Sequence, residues 1–429
     1  MRLSLDVRRA RKGDCLLLHF GSKNEPGLVL IDGGPSDVFA PQLRPRLIEI
    51  KDARGLGEGQ PLPIDVLMVS HVDDDHIKGI LDLTRELLAK PKGARAFRVA
   101  TLWHNTFDDV IGNTPTELTA ALTAQFGAAS LAGELPGDAT VDADHEDDEV
   151  VASSLKVLAS IEQGHRLRDD AAALEIDLNT EFNGNLILAD NEALTMGGGL
   201  TLTIAGPMKP ELLDLQKKHD EWLKQQQKTP KPPGAALAAY VDKSVPNLSS
   251  LVVLARSNGK SILLTGDARG DKILQGLETI GALPAGQTMH VDVLKVPHHG
   301  SSNNLTRNFF ERITADHYVF SGDGEHGNPE RESFEMLFKA RGTARFAIHL
   351  TYDIDHIDAL RKADWEKEQT KEKARKAAGG KKEPRADWLP AKQSLASFFA
   401  PGRLTSGQDL RIVGKSTPHV IDLLEPLGF

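Results

Sequence analysis

The sequence predicts an α/β layered domain, and three observations carry that expectation. Short runs of continuous apolar residues have the character of strands buried on both faces. A run at helical spacing lies between two of them, and polar, Gly-rich clusters follow one strand after another.

In chain order, DCLLLHFG (14–21) and LVLIDGG (28–34) read as two strands joined by the polar turn GSKNEPG. PIDVLMVS (63–70) is a third apolar run, ending where a His/Asp cluster begins. KGILDLTRELLAK then places Ile80, Leu81, Leu83, Leu87 and Leu88 at helical spacing. FRVATLWHN and Leu200–Gly206 read as further strands. SSLVVLARSNGKSILLTGD reads as a hairpin turning at Ser257, Asn258 and Gly259, because Asn-Gly accepts the left-handed backbone of a tight turn. VDVLKVPHHG and ADHYVFSGDG are two more strand-then-loop units.

Two segments interrupt this series. Residues from about 108 to 150, rich in Ala, Thr, Asp and Gly, read as a helical and loop insertion; within them Asp142, Asp144, Glu146, Asp147, Asp148 and Glu149 form an acidic run suited to a solvated loop. Residues from about 207 to 246 contain ELLDLQKKHDEWLKQQQ, read as a surface helix closed by PKPP. The expected organisation is one domain over 1–350, then a charged helical segment and a tail over 351–429. Residues 361–385 hold ten basic and five acidic residues, either a solvated helix broken at Gly379-Gly380 or a basic arm for a polyanion. The tail LRIVGKSTPHVIDLLEPLGF has strand character and is expected to dock on the domain. No internal repeat of solenoid period is visible.

Composition narrows the function classes. No apolar run reaches the ~18 residues of a membrane span, and the basic residues Arg8, Arg9, Arg11 and Lys12 follow the first apolar ones, the wrong order for a secretory signal. The single cysteine, Cys15, excludes an intrachain disulfide and suits a reducing cytoplasm, the expected location. In an apolar strand it reads as an inert buried thiol. A net charge of −10 weighs against a basic nucleic-acid binder, although local patches matter more than the total. Nothing in the sequence indicates a protein partner or a homo-oligomer.

The chemistry centres on Ser70-His71-Val72-Asp73-Asp74-Asp75-His76, between a buried strand and a helix. On a loop leaving a strand, four imidazole and carboxylate groups can converge on two adjacent cations. The plainer alternative is a charged surface loop with Asp74 or Asp75 capping the helix. Companions follow at later strand ends: Asp32-Gly33-Gly34, Leu264-Thr265-Gly266-Asp267, Pro297-His298-His299-Gly300-Ser301 and the 321–329 stretch SGDGEHGNP. Clusters at one end of successive strands are how layered α/β folds build sites.

This succession resembles the metallo-β-lactamase superfamily. It is similar in particular to the branch with the hydrolase domains of bacterial DNA-uptake (competence) proteins and related phosphodiesterases, where His-x-Asp-x-Asp-His replaces the commoner His-x-His-x-Asp-His. Gly13-Asp14-Cys15, Asn247–Ser250, LLTGDA and LKVPHHGS also look like that branch, and the likeness spans about residues 1 to 350. The resemblance implies a four-layer αββα fold with helical insertions and a C-terminal extension. It implies two divalent cations, Zn²⁺ or Mn²⁺, with His71 and Asp73 on one, Asp75 and His76 on the other, and Asp267 bridging. His299 is favoured to complete a site, with His298 as ligand or proton donor. Where relatives carry Gly-His-Pro this chain reads Gly327-Asn328-Pro329, so His326 is either a substitute ligand or a surface histidine. His104 is either a pocket residue or a buried structural histidine; with Asn105 and Ser301 it is a candidate for substrate binding.

Two such cations would activate a hydroxide for hydrolysis, with Asp75 and His298 as the catalytic side chains. The carboxylate at Asp73 hardens the site, which adds Mn²⁺ to Zn²⁺ as a candidate and suits a phosphodiester. The expectation is a phosphodiesterase or nuclease acting on DNA or RNA. The alternatives are a hydrolase of a small phosphodiester, nucleotide or ester, and a non-catalytic metal-binding interaction protein. A β-lactamase proper would need an export signal that is not evident.

Overall fold

In the computed structural model, residues 1–105, 162–190, 192–210, 212, 250–415 and 417–429 are described. The expected insertion at 108–150 with its acidic run, nearly all of the 207–246 segment, and Asn247 to Ser249 lie outside the described residues.

Among the described residues, the apolar runs assemble into two mixed sheets. The first has seven strands: β1 (Arg2–Val7), β2 (Leu16–Gly21), β3 (Pro26–Ile31), β4 (Leu62–Met68), β5 (Phe97–Trp103), the two-residue β6 (Asp177–Leu178) and, at the β1 edge, β15 (Val420–Asp422). The second has eight: β7 (Leu194–Thr195), β8 (Thr201–Gly206), β9 (Val252–Ser257), β10 (Lys260–Leu264), β11 (Met289–Lys295), β12 (Ile313–Phe320), β13 (Phe346–Leu350) and β14 (Gln408–Ile412). β9 and β10 form the expected hairpin, with Asn258 at φ 48° and Gly259 at φ 77°.

Three apolar cores explain the layering. One lies between the sheets, where Leu5, Leu18, Val29 and Val66 meet Ile204, Val253, Ile262 and Val293. A second packs the outer face of the first sheet against α1 (Arg44–Ala53), α2 (Asp74–Leu88) and helical residues 162–173. The third packs the second sheet against α3 (Gly270–Thr279), α4 (Arg307–Arg312), α5 (Arg331–Arg341), α6 (Ile354–Ala377) and α8 (Leu395–Phe398), with α7 (Pro390–Gln393) just before α8. The order is helix, sheet, sheet, helix, and both faces of each sheet are covered, as the continuous apolar runs require.

Strand direction positions the site. β3, β4 and β5 run parallel, and so do β10, β11, β12 and β13. The loops after β3, β4, β10, β11 and β12 therefore leave from the carboxyl edges of the two sheets. β2 is antiparallel to β3, which brings the residues just before it to the same edge.

The C-terminal segment has two parts. α6 runs from Ile354 to Ala377 and stops before Gly379, which takes φ 98°. Several cations of the 361–385 segment are paired: Lys362 with Glu366, Lys371 with Glu368, Lys376 with Glu383 and Arg385 with Glu372. The helix is solvated, and the chain after it returns alongside, bound through Trp365, Gln369 and Glu372. Farther on, β14 pairs parallel with β13 and β15 antiparallel with β1, so each sheet ends in a strand from the tail. No helix among the described residues is long and apolar enough to cross a membrane.

Candidate metal centre

The 70–76 loop leaves β4 and enters α2 within one turn. Asp73 takes the N-cap position, with extended backbone (φ −69°, ψ 148°), yet its side chain makes no capping hydrogen bond. The capping role considered for Asp74 or Asp75 is not observed; both lie in the first turn. The buried apolar face of α2 (Ile77, Ile80, Leu81, Leu83, Leu87) fixes the rotation of that turn. His76 is buried with that face, and Asp75 stays close enough to the neighbouring loop to accept a bond from the Asp14 amide at 3.3 Å.

Asp267, after β10, lies at the centre of four imidazoles. Its Oδ1 is 3.4 Å from His76 Nε2 and 3.4 Å from His299 Nε2. Its Oδ2 is 3.8 Å from His71 Nε2 and 3.7 Å from His298 Nε2. His299 Nε2 is also 3.7 Å from Asp75 Oδ2, and His71 Nε2 is 3.7 Å from Asp73 Oδ2. Two overlapping groups result whose ligand atoms lie within 4.8 Å of one another: Asp14, His76, Asp267 and His299; and His71, Asp75 and His76.

The atoms that converge have no hydrogen-bond partner. His71 Nε2, His76 Nε2, His299 Nε2, Asp267 Oδ1 and Asp14 Oδ1 are all buried and unsatisfied. Leaving a buried polar atom unpaired costs roughly 1–3 kcal/mol. Five together would cost on the order of a domain's whole stability, ~5–15 kcal/mol. A donor set of neutral imidazole nitrogens and carboxylate oxygens is the one divalent cations satisfy, so these residues fit a metal centre.

The opposite side of each ring is held. Ser70 donates from its backbone N–H to Asp32 Oδ1 and from Oγ to Asp32 Oδ2, both at 2.7 Å. His76 Nδ1 meets Asp32 Oδ2 at 2.8 Å, His71 Nδ1 meets Ser70 Oγ at 3.2 Å, and His299 Nδ1 meets Ser321 Oγ at 2.8 Å. Such outer partners fix ring orientation and leave Nε2 for a ligand. His298 and His299 sit in left-handed backbone (φ 48° and 52°), a strained conformation for side chains with a Cβ that presents both rings from one short turn.

Electrostatics follow the crowding of carboxylates. Burial pushes His71 down to about 3, helped by the neighbouring His76, so this ring is neutral. For His299 burial acts downward too, but Asp267 and Asp14 outweigh it and hold the ring up at about 9. Asp267 is pushed up by burial, yet His299, His298 and His76 hold it well below the usual carboxylate range. Asp73, a third of its side chain exposed, is raised by partial burial and by the nearby carboxylate of Asp75. Without cations, protons on His76 and His299 compensate the acids. Cation binding would displace them.

Several expected residues lie elsewhere. His326 is exposed, on a short turn where Nε2 stands 3.3 Å from Lys12 Nζ, and it joins neither donor group. Its turn faces the 11–12 loop, with Arg11 paired to Glu325. His104 is fully buried with both ring nitrogens unpartnered, its backbone locked to Asn179, and burial pushes it down to about 3. Asn105 uses both ends of its amide on the Ile187 backbone, at 2.8 and 2.9 Å, so it pins chain instead of presenting a free amide. Ser301 is buried and its amide donates to the His298 carbonyl, closing the histidine turn. Cys15 is buried, and burial raises its thiol above the ordinary range.

Sequence reasoning missed Asp14 and Lys295. Asp14 is 2% exposed, its Oδ2 bound at 2.8 Å by Lys295 Nζ, which is itself 1% exposed. The signals were present: an acid directly before a strand buried on both faces, and a lysine inside the apolar run of β11.

No family model and no curated protein matches this chain. Among solved structures it is similar to a provisionally assigned metal-dependent hydrolase from Parabacteroides distasonis ATCC 8503. The two share 8% identity, with a TM-score of 0.30, over 80% of this chain and 97% of the other. A likeness that distant says nothing about site or substrate.

Proposed function

We propose that the protein is a metal-dependent hydrolase that cleaves phosphodiesters. The single observation that carries this is the convergence of five buried, unsatisfied donor atoms from loops after β4, β10 and β11 and before β2. In this reading His71, Asp75 and His76 hold one divalent cation, and Asp14, Asp267 and His299 hold a second. Asp267 faces imidazoles of both sets and would serve both cations. Asp73, whose side chain keeps 33% exposure, joins from the rim beside His71. Such a pair, Zn²⁺ or Mn²⁺, would polarise a phosphoryl oxygen and acidify a water.

The chain's own residues do the rest. Asp32, Ser70 and Ser321 hold the ligand rings in orientation, and Lys295 balances the charge of Asp14 inside the apolar layer. His298, with 28% side-chain exposure, faces both Asp267 and solvent and is the ring best situated to meet a substrate. The motif likeness to competence-type hydrolases supports a nucleic-acid substrate. The paired cations of the 361–385 segment and the net charge of −10 favour the second reading, a small phosphodiester or nucleotide.

The test is metal analysis together with hydrolysis. Purified protein should carry close to two cations per chain and cleave bis(p-nitrophenyl) phosphate, and Asp75→Ala should lose both properties. Single- and double-stranded DNA and RNA, tried beside it, separate the nuclease from the small-substrate enzyme. A protein that binds metal but cleaves none of them would be the non-catalytic interaction protein.

A further inference from the structure

Four imidazoles face Asp267, and the partners of their other nitrogens divide them three against one. In His71, His76 and His299 the Nδ1 atom meets a hydroxyl or carboxylate oxygen. Ser70 Oγ gives its own hydrogen to Asp32, so it accepts from His71; Asp32 accepts from His76. Nδ1 of each of these three rings is thus engaged on the side away from Asp267, and the buried Nε2 is the atom left to a cation, which in His76 and His299 would displace a proton.

His298 is reversed. Its Nδ1 meets the amide nitrogen of Asn304 at 2.7 Å. The same nitrogen lies 3.5 Å from the backbone carbonyl of Asp267. An amide oxygen there would face that carbonyl oxygen, so the carbonyl places the amide nitrogen at this end. Asn304 therefore donates to Nδ1, and the ring hydrogen of His298 sits on Nε2, 3.7 Å from Asp267 Oδ2.

We propose that Asn304 is a positioning residue that keeps the ring hydrogen of His298 on Nε2. His298 then donates a hydrogen bond to a phosphoryl oxygen of the substrate and neither ligates a cation nor passes on a proton. The phosphoryl acceptor rests on the phosphodiesterase reading above, whereas the tautomer rests on the Asn304 geometry alone. Donors aimed at developing negative charge act in this way without proton transfer.

Three measurements decide it. Nitrogen NMR of the metal-free protein should show His298 with its hydrogen on Nε2, and Asn304→Asp, whose carboxylate can only accept, should move it to Nδ1; an Nδ1–H in the wild type overturns the proposal. Titrated with Zn²⁺ alone, His298→Ala should take up as many ions as wild type, and loss of an equivalent would make His298 a ligand. On bis(p-nitrophenyl) phosphate, His298→Ala and Asn304→Asp should each lower kcat by roughly 10²–10³ with KM little changed; an unchanged kcat overturns the donor role. If the wild type does not cleave this compound, the phosphodiesterase reading falls and takes the named acceptor with it. The NMR and zinc results still judge the tautomer and the ligand set.

Discussion

Ser70 shows how far the site depends on one hydroxyl. Its Oγ lies between Asp32 and the inner nitrogens of His71 and His76, at 2.7, 3.2 and 3.2 Å. Ser70→Ala removes the acceptor shown for His71 Nδ1 and one of three bonds that hold the Asp32 carboxylate. Loss of such an outer partner typically costs about 10–100-fold in metal affinity. We expect a fall of that size for Ser70→Ala by chelator competition, with circular dichroism unchanged. Affinity equal to wild type would mean that packing alone orients the two rings. At this scale the motif was readable, because His71, Asp75 and His76 are neighbours in sequence. The choice between His298 and His299 was not. Adjacent residues of one type differ only in what surrounds them: Ser321 and Asp14 for one, Asn304 for the other.

Among elements, the contact between the β1–β2 connection and the start of α2 matters most. Gly13 lies so close to α2 that a Cβ there would stand 1.8 Å from the Asp75 carbonyl oxygen. Only glycine permits that approach, and the approach brings Asp14 beside His299. Gly13→Ala should therefore destabilise the protein by about 1–3 kcal/mol in urea unfolding and reduce the bound metal as well. Gly57→Ala is the control, since its Cβ would meet only the Gln60 side chain, at 3.6 Å; a change within about 0.5 kcal/mol is expected. Equal effects in both variants would remove the close approach as the cause. The glycine was visible in sequence, but its partner, 62 positions later, was not.

Over the whole molecule, the tail ties the two sheets together. Between β14 and β15 the chain crosses from one sheet to the other, and three imidazoles line up there. His349 Nε2 is 3.0 Å from His317 Nδ1, and His349 Nδ1 is 2.7 Å from His419 Nε2. Burial pushes His349 down to about 2 from 6.5, with His419, His317 and Arg411 adding to it. The unfolded chain takes up this proton first, so stability is complete above about pH 6.5 and is lost as pH falls toward the folded value. Wild type should lose unfolding free energy between pH 7 and pH 5, at up to ~1.4 kcal/mol per pH unit for one proton. His349→Leu should lessen that slope by up to one proton's share, with His71 and His104 keeping theirs; parallel curves would show that His349 contributes nothing to it.

By itself the sequence determined the α/β class, most strands, the α2 helix and the order of the ligand-bearing loops. Each of these follows from local pattern: apolar period, turn chemistry and the few residues that end a strand. β1 was legible but passed over: RLSLDV alternates as a half-buried strand does, and what the pattern hides is that its polar face is covered too, Ser4 bound by Asp422 and Asp6 by Arg46. Only the tertiary structure decided that Asp14 joins the cluster, that His326 stays with Lys12, and that Asn304 meets His298. Those outcomes depend on distances between residues far apart in the chain or on which neighbour a ring nitrogen meets, and neither leaves a period or a spacing in the sequence.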